Sequence, residues 1–146
     1  MSVRRGTYIL LVDLGADARI RVGALGEFLF GAGTYCYVGS AMGGLDQRLS
    51  RHLTRDKKER WHIDYLVSEA ADVRAYESFP DHVPECRLAS MAEECGMEPV
   101  AEGFGCSDCH CRTHLFRADP ESTARLIREA GLISYNLISF PDGKPL

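Results

Sequence analysis

The chain has 146 residues, of which 45% are hydrophobic and 26% charged, with a formal net charge of −4. That is the length of one domain with a single core, in the composition range of soluble globular proteins. No apolar run approaches the roughly 18–20 residues that cross a bilayer, so no membrane partner is expected.

The elements follow in chain order. "GTYILLVDL" (6–14) has the β-rich composition of a buried strand. Two Arg precede it in the manner of a signal peptide. However, Asp13 and Asp17 interrupt the apolar run and no small-residue cleavage site follows, so a cytoplasmic protein is expected. "ARIRVG" alternates Arg19 and Arg21 with Ile20 and Val22, the pattern of a half-exposed strand. "GEFLFGAG" leads into "TYCYVG", where Tyr35 and Tyr37 share one face and Cys36 and Val38 the other. Three strands with short connections predict an antiparallel meander. After Gly43 and Gly44 a helix carries Leu45, Leu49 and Leu53 on one stripe and Arg48, His52 and Arg55 on the next. "KERWHIDYLVSEA" reads as a second helix and "DVRAYESF" as a strand. "PECRLASMAEECG" is a third helix, begun by Pro84 and stopped by Gly96. "THLFRA" is a short strand. "DPESTARLIREAG" is a fourth helix with Asp119 as cap, Pro120 in the first turn and Gly131 as terminator, and "LISYNLISF" adds an edge strand. The fold class is α+β, with a small, mainly antiparallel central sheet flanked by helices, an extended N-terminal hairpin and a C-terminal helix. It is one domain over 1–146.

Basic residues are clustered. From Arg48 to Arg60 six Lys or Arg stand against Asp56 and Glu59, an electrostatic footprint for a nucleic-acid backbone on an otherwise acidic chain. The turn ahead of this stretch, "GSAMGG", matches the glycine spacing of a nucleotide-phosphate loop. Leu45 and Asp46 then stand where Lys and Ser or Thr are needed, and an acid there would repel a triphosphate. A backbone phosphate suits these residues better: a strand-end phenol, a Gly permitting close approach, and an Arg whose planar fork pairs with phosphate.

Gly6-Thr7-Tyr8, Tyr37-Val38-Gly39 and Gln47 to His52 resemble the opening motifs of the GIY-YIG nuclease superfamily. "WHIDYL" and "FGCSDCHCRTHLF" resemble an uncharacterised branch of it, one sometimes fused to endonuclease III-type glycosylases. The likeness covers residues 6–95, with 103–146 as a C-terminal extension. It departs from the better-known members in the separation of 29 between Tyr8 and Tyr37, where theirs lie much closer, and in Ser40, where a basic residue often follows. The insert between the tyrosines should form an extra hairpin or a longer excursion.

The resemblance implies a metal-dependent DNA endonuclease, acting alone or beside a repair enzyme. One Mg²⁺ (or Mn²⁺) would be held by Glu85, the best match for the acidic ligand, with Glu93 and Glu94 as competitors. Arg48 would bind the non-bridging oxygens. Tyr8 would be the base, with His52 the rival because its ordinary pKa lies nearer neutrality, and Tyr37 would orient water or Tyr8. Gly39 and Ser40 would lie at the phosphate, and Arg51, Arg55, Lys57, Lys58 and Arg60 along the basic helix 45–60 would track neighbouring phosphates. The alternative is a catalytically inactive nucleic-acid-binding module that keeps the basic helix; a third reading is a protein-interaction domain.

Cys106, Cys109, Cys111 and His114 are spaced C-x2-C-x-C-x2-H. Structural zinc sites commonly use two ligand pairs separated by a longer loop, and four ligands within nine residues would strain a tetrahedron. A tight turn with small buried thiols is the simpler expectation. Zinc is the alternative, with Cys86 or Cys95 replacing one ligand. His62 and Asp64, two residues apart, should point to different faces of their helix, and Trp61 and Tyr65 should be core.

Overall fold

The computed structural model describes residues 3–54, 59–106, 109 and 111–135. Its strands are β1 (Gly6–Leu14), β2 (Ala18–Val22), β3 (Gly26–Phe30), β4 (Gly33–Ala41), β5 (Asp72–Ser78), β6 (Glu98–Pro99), β7 (Leu115–Ala118) and β8 (Ile133–Tyr135). Its helices are α1 (Leu45–His52), α2 (His62–Val67), α3 (Glu85–Glu94) and α4 (Pro120–Ala130).

Six strands form one antiparallel sheet in the order β6-β7-β4-β1-β5-β8. The central strand β1 is buried along nearly its whole length because both faces of the sheet are covered. Side chains alternate along a strand, so β1 serves two cores at once. Tyr8, Leu10 and Val12 join Tyr35, Tyr37, Leu45, Leu49, Ile63 and Leu66 on the face carrying α1 and α2. Ile9 and Leu11 join Cys36, Val38, Leu88, Ala92 and Leu126 on the face carrying α3 and α4. The predicted split of Tyr35/Tyr37 from Cys36/Val38 is what separates the two layers.

The three-stranded meander is corrected. "GEFLF" is itself a strand, and β2 and β3 pair only with each other as a separate two-stranded hairpin. The reason is burial. Ile20, Val22 and Phe30 face the core beside α2, so the ribbon packs over the sheet instead of extending it. β1 and β4 pair directly, Leu14 opposite Gly33 and Tyr8 opposite Gly39, with the insert leaving from the far end.

Helix signals held where they are local. Asp119 accepts from the Ser122 N–H, Pro120 opens α4 and Gly131 closes it in the left-handed conformation. Two helices are shorter than expected. α1 ends at His52, so the basic stretch 45–60 is not one helix, and α2 begins only at His62. Of the C-terminal edge strand, Ile133–Tyr135 pairs with β5, and 136–140 lie outside the described residues. Among the described residues no helix is long and apolar enough to cross a membrane.

Leu10 is fully buried, whereas Leu29 is 67% exposed. Leu10→Ala should cost about 2–5 kcal/mol of unfolding free energy and Leu29→Ala less than about 0.5, read from urea denaturation midpoints.

Candidate functional site

A cavity of about 380 Å³ opens at one end of β1 and β4. Tyr8, Tyr37, Arg48 and Glu85 all line it, each from a different element, together with Ser40, Arg60, Trp61, His62 and Gly105. His52, the fifth residue read as catalytic, is fully buried behind this wall, its Nε2 2.7 Å from the Tyr8 hydroxyl. The Tyr8 ring packs beside both Tyr37 and His52, with centroids 6.3 Å and 5.3 Å away.

Gly39 makes that arrangement possible. It sits opposite Tyr8 in the ladder, and a Cβ there would lie 2.4 Å from the Tyr8 hydroxyl. The close approach that Gly39 allows is therefore to the Tyr8 ring. Burial pushes the Tyr8 hydroxyl well above its ordinary pKa, against the opposing charge of Arg48, and burial beside Tyr8 does the same to Tyr37. Both phenols hold their protons at neutral pH.

Arg48 is fixed from two sides. It donates to the Ser40 carbonyl at 2.8 Å, and its guanidinium lies 4.4 Å from the Trp61 ring centroid. Arg51 stacks on the same ring at 4.1 Å and makes a two-pronged pair with Asp64, both hydrogen bonds 2.9 Å long. Arg51, read from the sequence as a phosphate contact, also holds the start of α2 through this pair. Arg60 stays exposed and lines the cavity, while Arg55, Lys57 and Lys58 lie outside the described residues.

His62 and Asp64 diverge as expected. His62 faces the cavity and accepts the Gly105 N–H at Nδ1, 2.9 Å away; burial holds its pKa below the ordinary value, so it is a neutral ring. Asp64 points inward, fully buried. Trp61 and Gly105 carry no sequence signal of their own for the site. Their parts depend on contacts across loops.

Glu85 stands in the first turn of α3, and its Oε2 lies 3.0 Å from Nδ1 of the buried His114. On the far side of that ring, Cys86, Cys109, Cys111 and His114 bring four ligand atoms within 4.8 Å of one another, a group that could hold a metal ion. Cys86 therefore takes the place that spacing alone gave to Cys106, whose Sγ donates to the Phe104 carbonyl. Cys95 faces Glu129. Burial opposes the Cys109 thiolate, but hydrogen bonding from Cys111 and the charge of His114 outweigh it, drawing this thiol below its ordinary range. Glu93 and Glu94 do not line the cavity.

Asp64 is the electrostatic anchor beneath the site. Burial alone would raise its pKa; the Arg51 fork and the Trp61 and Arg60 N–H groups, at 2.9 Å and 2.8 Å, outweigh that and lower it. A lowered carboxyl contributes stability above its unfolded pKa of about 3.9 and loses it as pH falls through the folded value. Asp64→Ala should therefore cost about 3–5 kcal/mol at pH 7, by chemical denaturation, with the gap from the unmodified protein narrowing below about pH 4.

No curated protein and no solved structure matches the chain. Residues 7–133 match a family described as Domain of unknown function DUF123, and the chain belongs to that family.

Proposed function

We propose that the protein is a metal-dependent endonuclease of GIY-YIG type that hydrolyses DNA phosphodiester bonds at the cavity between Tyr8, Tyr37, Arg48 and Glu85. The observation that carries this reading is that these four residues, dispersed along the chain, line one hollow beside exposed Arg60. The residues fit the divalent ion the chemistry calls for. Glu85 offers a single, partly exposed carboxylate whose other contact is made by His114, and an ion with few protein ligands and many waters is the Mg²⁺ mode. When bound, the ion supplies charge neutralisation at the phosphoryl oxygens and stabilises the departing alkoxide. The three thiols and imidazole of the Cys86 group suit zinc instead, as a second and separate ion.

The chain's own groups do the rest. Arg48, braced by Ser40 and Trp61, presents its remaining N–H groups to the non-bridging oxygens, where charge grows as the phosphorus becomes five-coordinate. A phenol that keeps its proton is a poor base by itself, and His52 does not reach the cavity. Coupled across 2.7 Å, the two form a relay: Tyr8 takes a proton from the attacking water as it passes its own to Nε2 of His52. The choice between Tyr8 and His52 as base then becomes a division of labour. Tyr37, against the same rings, fixes the orientation of Tyr8.

Nicking of supercoiled plasmid in Mg²⁺ tests this. Arg48→Ala and Glu85→Gln should each lower the rate by about 10²–10³-fold. Tyr8→Phe and His52→Ala should lower it to a similar extent as each other, since either breaks the same relay. Salt-dependent binding with no cleavage would replace this reading with the inactive binding module. Gly39→Ala, which displaces the Tyr8 ring, should mimic Tyr8→Phe in activity while far-UV circular dichroism stays unchanged.

A further inference from the structure

His114 is buried with a different partner at each ring nitrogen. Nδ1 lies 3.0 Å from the Glu85 carboxylate and Nε2 lies 3.5 Å from the Cys109 sulfur. On a tetrahedral zinc, with bonds of about 2.3 Å to sulfur and 2.0–2.1 Å to nitrogen, neighbouring S and N ligands sit about 3.5 Å apart. The His114–Cys109 separation already has that length, and Cys86 and Cys111 complete the group. A metal-bound imidazole commonly hands its other N–H to a carboxylate, which fixes the ring. The Glu85 carboxylate lies 3.0 Å from that nitrogen, not yet aligned as a hydrogen bond, and also lines the cavity.

We propose that Cys86, Cys109, Cys111 and His114 bind one zinc ion, and that this ion, through His114, clamps Glu85 where it faces the cavity. All four positions of the tetrahedron are filled by protein, which makes the ion a brace, with no open coordination site for a reacting group. The geometry is compact at its origin. Glu85 and Cys86 are consecutive in the first turn of α3, so one helix end supplies both the clamp's ligand and the residue clamped. The other ligands come from the loop ahead of β7, tying that loop to α3. The ligand set stands on geometry alone. The clamp's consequence for chemistry rests on the endonuclease reading, in which Glu85 is a Mg²⁺ ligand.

The test uses the full chain and measures metal without DNA. Elemental analysis should find one zinc per chain that excess Mg²⁺ does not displace. Cobalt(II) in its place should give the intense visible bands and sulfur-to-metal charge transfer of a tetrahedral thiolate site. Cys86→Ser, Cys111→Ser and His114→Ala should lose the ion, and Cys95→Ser and Cys106→Ser should retain it. Glu85→Ala should weaken zinc affinity by about 10–100-fold in a chelator competition. The cobalt spectrum of the unmodified chain decides the site even where a thiol variant fails to fold. A pale, octahedral cobalt spectrum, or zinc lost from Cys106→Ser but kept by Cys86→Ser, overturns the ligand set. Unchanged zinc affinity in Glu85→Ala overturns the clamp. Zinc bound as described in a chain that does not nick DNA sinks only the endonuclease reading.

Discussion

The hydrogen bond between Tyr8 and His52 joins the middle of the sheet to the end of the first helix, with Tyr8 on the cavity wall and His52 fully buried behind it. Two polar groups that would each be expensive to bury alone satisfy one another there. The geometry has a strict precondition, a bare backbone on the neighbouring strand at Gly39, because the phenol lies across that position. The rest of the cavity is arranged around this fixed pair. Tyr37 packs on both rings, and Trp61 packs on His52 while receiving Arg48 and Arg51 on its own ring. A rigid aromatic layer is what lets a long, flexible arginine hold one position at the cavity wall.

Legibility in the sequence followed the range of the interactions. α4 could be read to the residue because Asp119, Pro120 and Gly131 act within one turn of where they stand. The two-sided character of β4 was equally plain, since alternation is a property of the strand itself. Strand partnership was not. "ARIRV" looks the same whether it extends a sheet or folds over one, and only the burial of Ile20 and Val22 beside α2 decides. The end of α1 was also hidden, because Leu53 closes the helix without a glycine or proline to announce it.

Within the site the same distinction holds. Tyr8, Tyr37, Arg48, His52 and Glu85 were implied by the resemblance of their motifs, and four of them line the cavity with the fifth bonded to Tyr8. The pairing of Arg51 was hidden because its partner, Asp64, belongs to another helix beyond a loop. A surplus of positive charge in a short window does not say which of its members are already engaged. Cys86, named from the sequence only as a substitute beside Cys95, belongs to the same class. Spacing favoured Cys106, which is nearer in sequence, whereas the fold brings in a thiol from the start of α3.

The β2–β3 ribbon leaves the main sheet beyond the Leu14–Gly33 pair and returns to the same point, so its length does not alter the pairing register between Tyr8 and Gly39. Closing a longer excursion adds only about 0.6 kcal/mol for each doubling, and this one recovers part of that through its own pairing and burial. A graft of this kind can change length while the rungs of the ladder below it stay in step. Pattern searches that count residues between two tyrosines would pass over chains built this way; rung number, counted from the glycine that faces the first phenol, is the coordinate that survives.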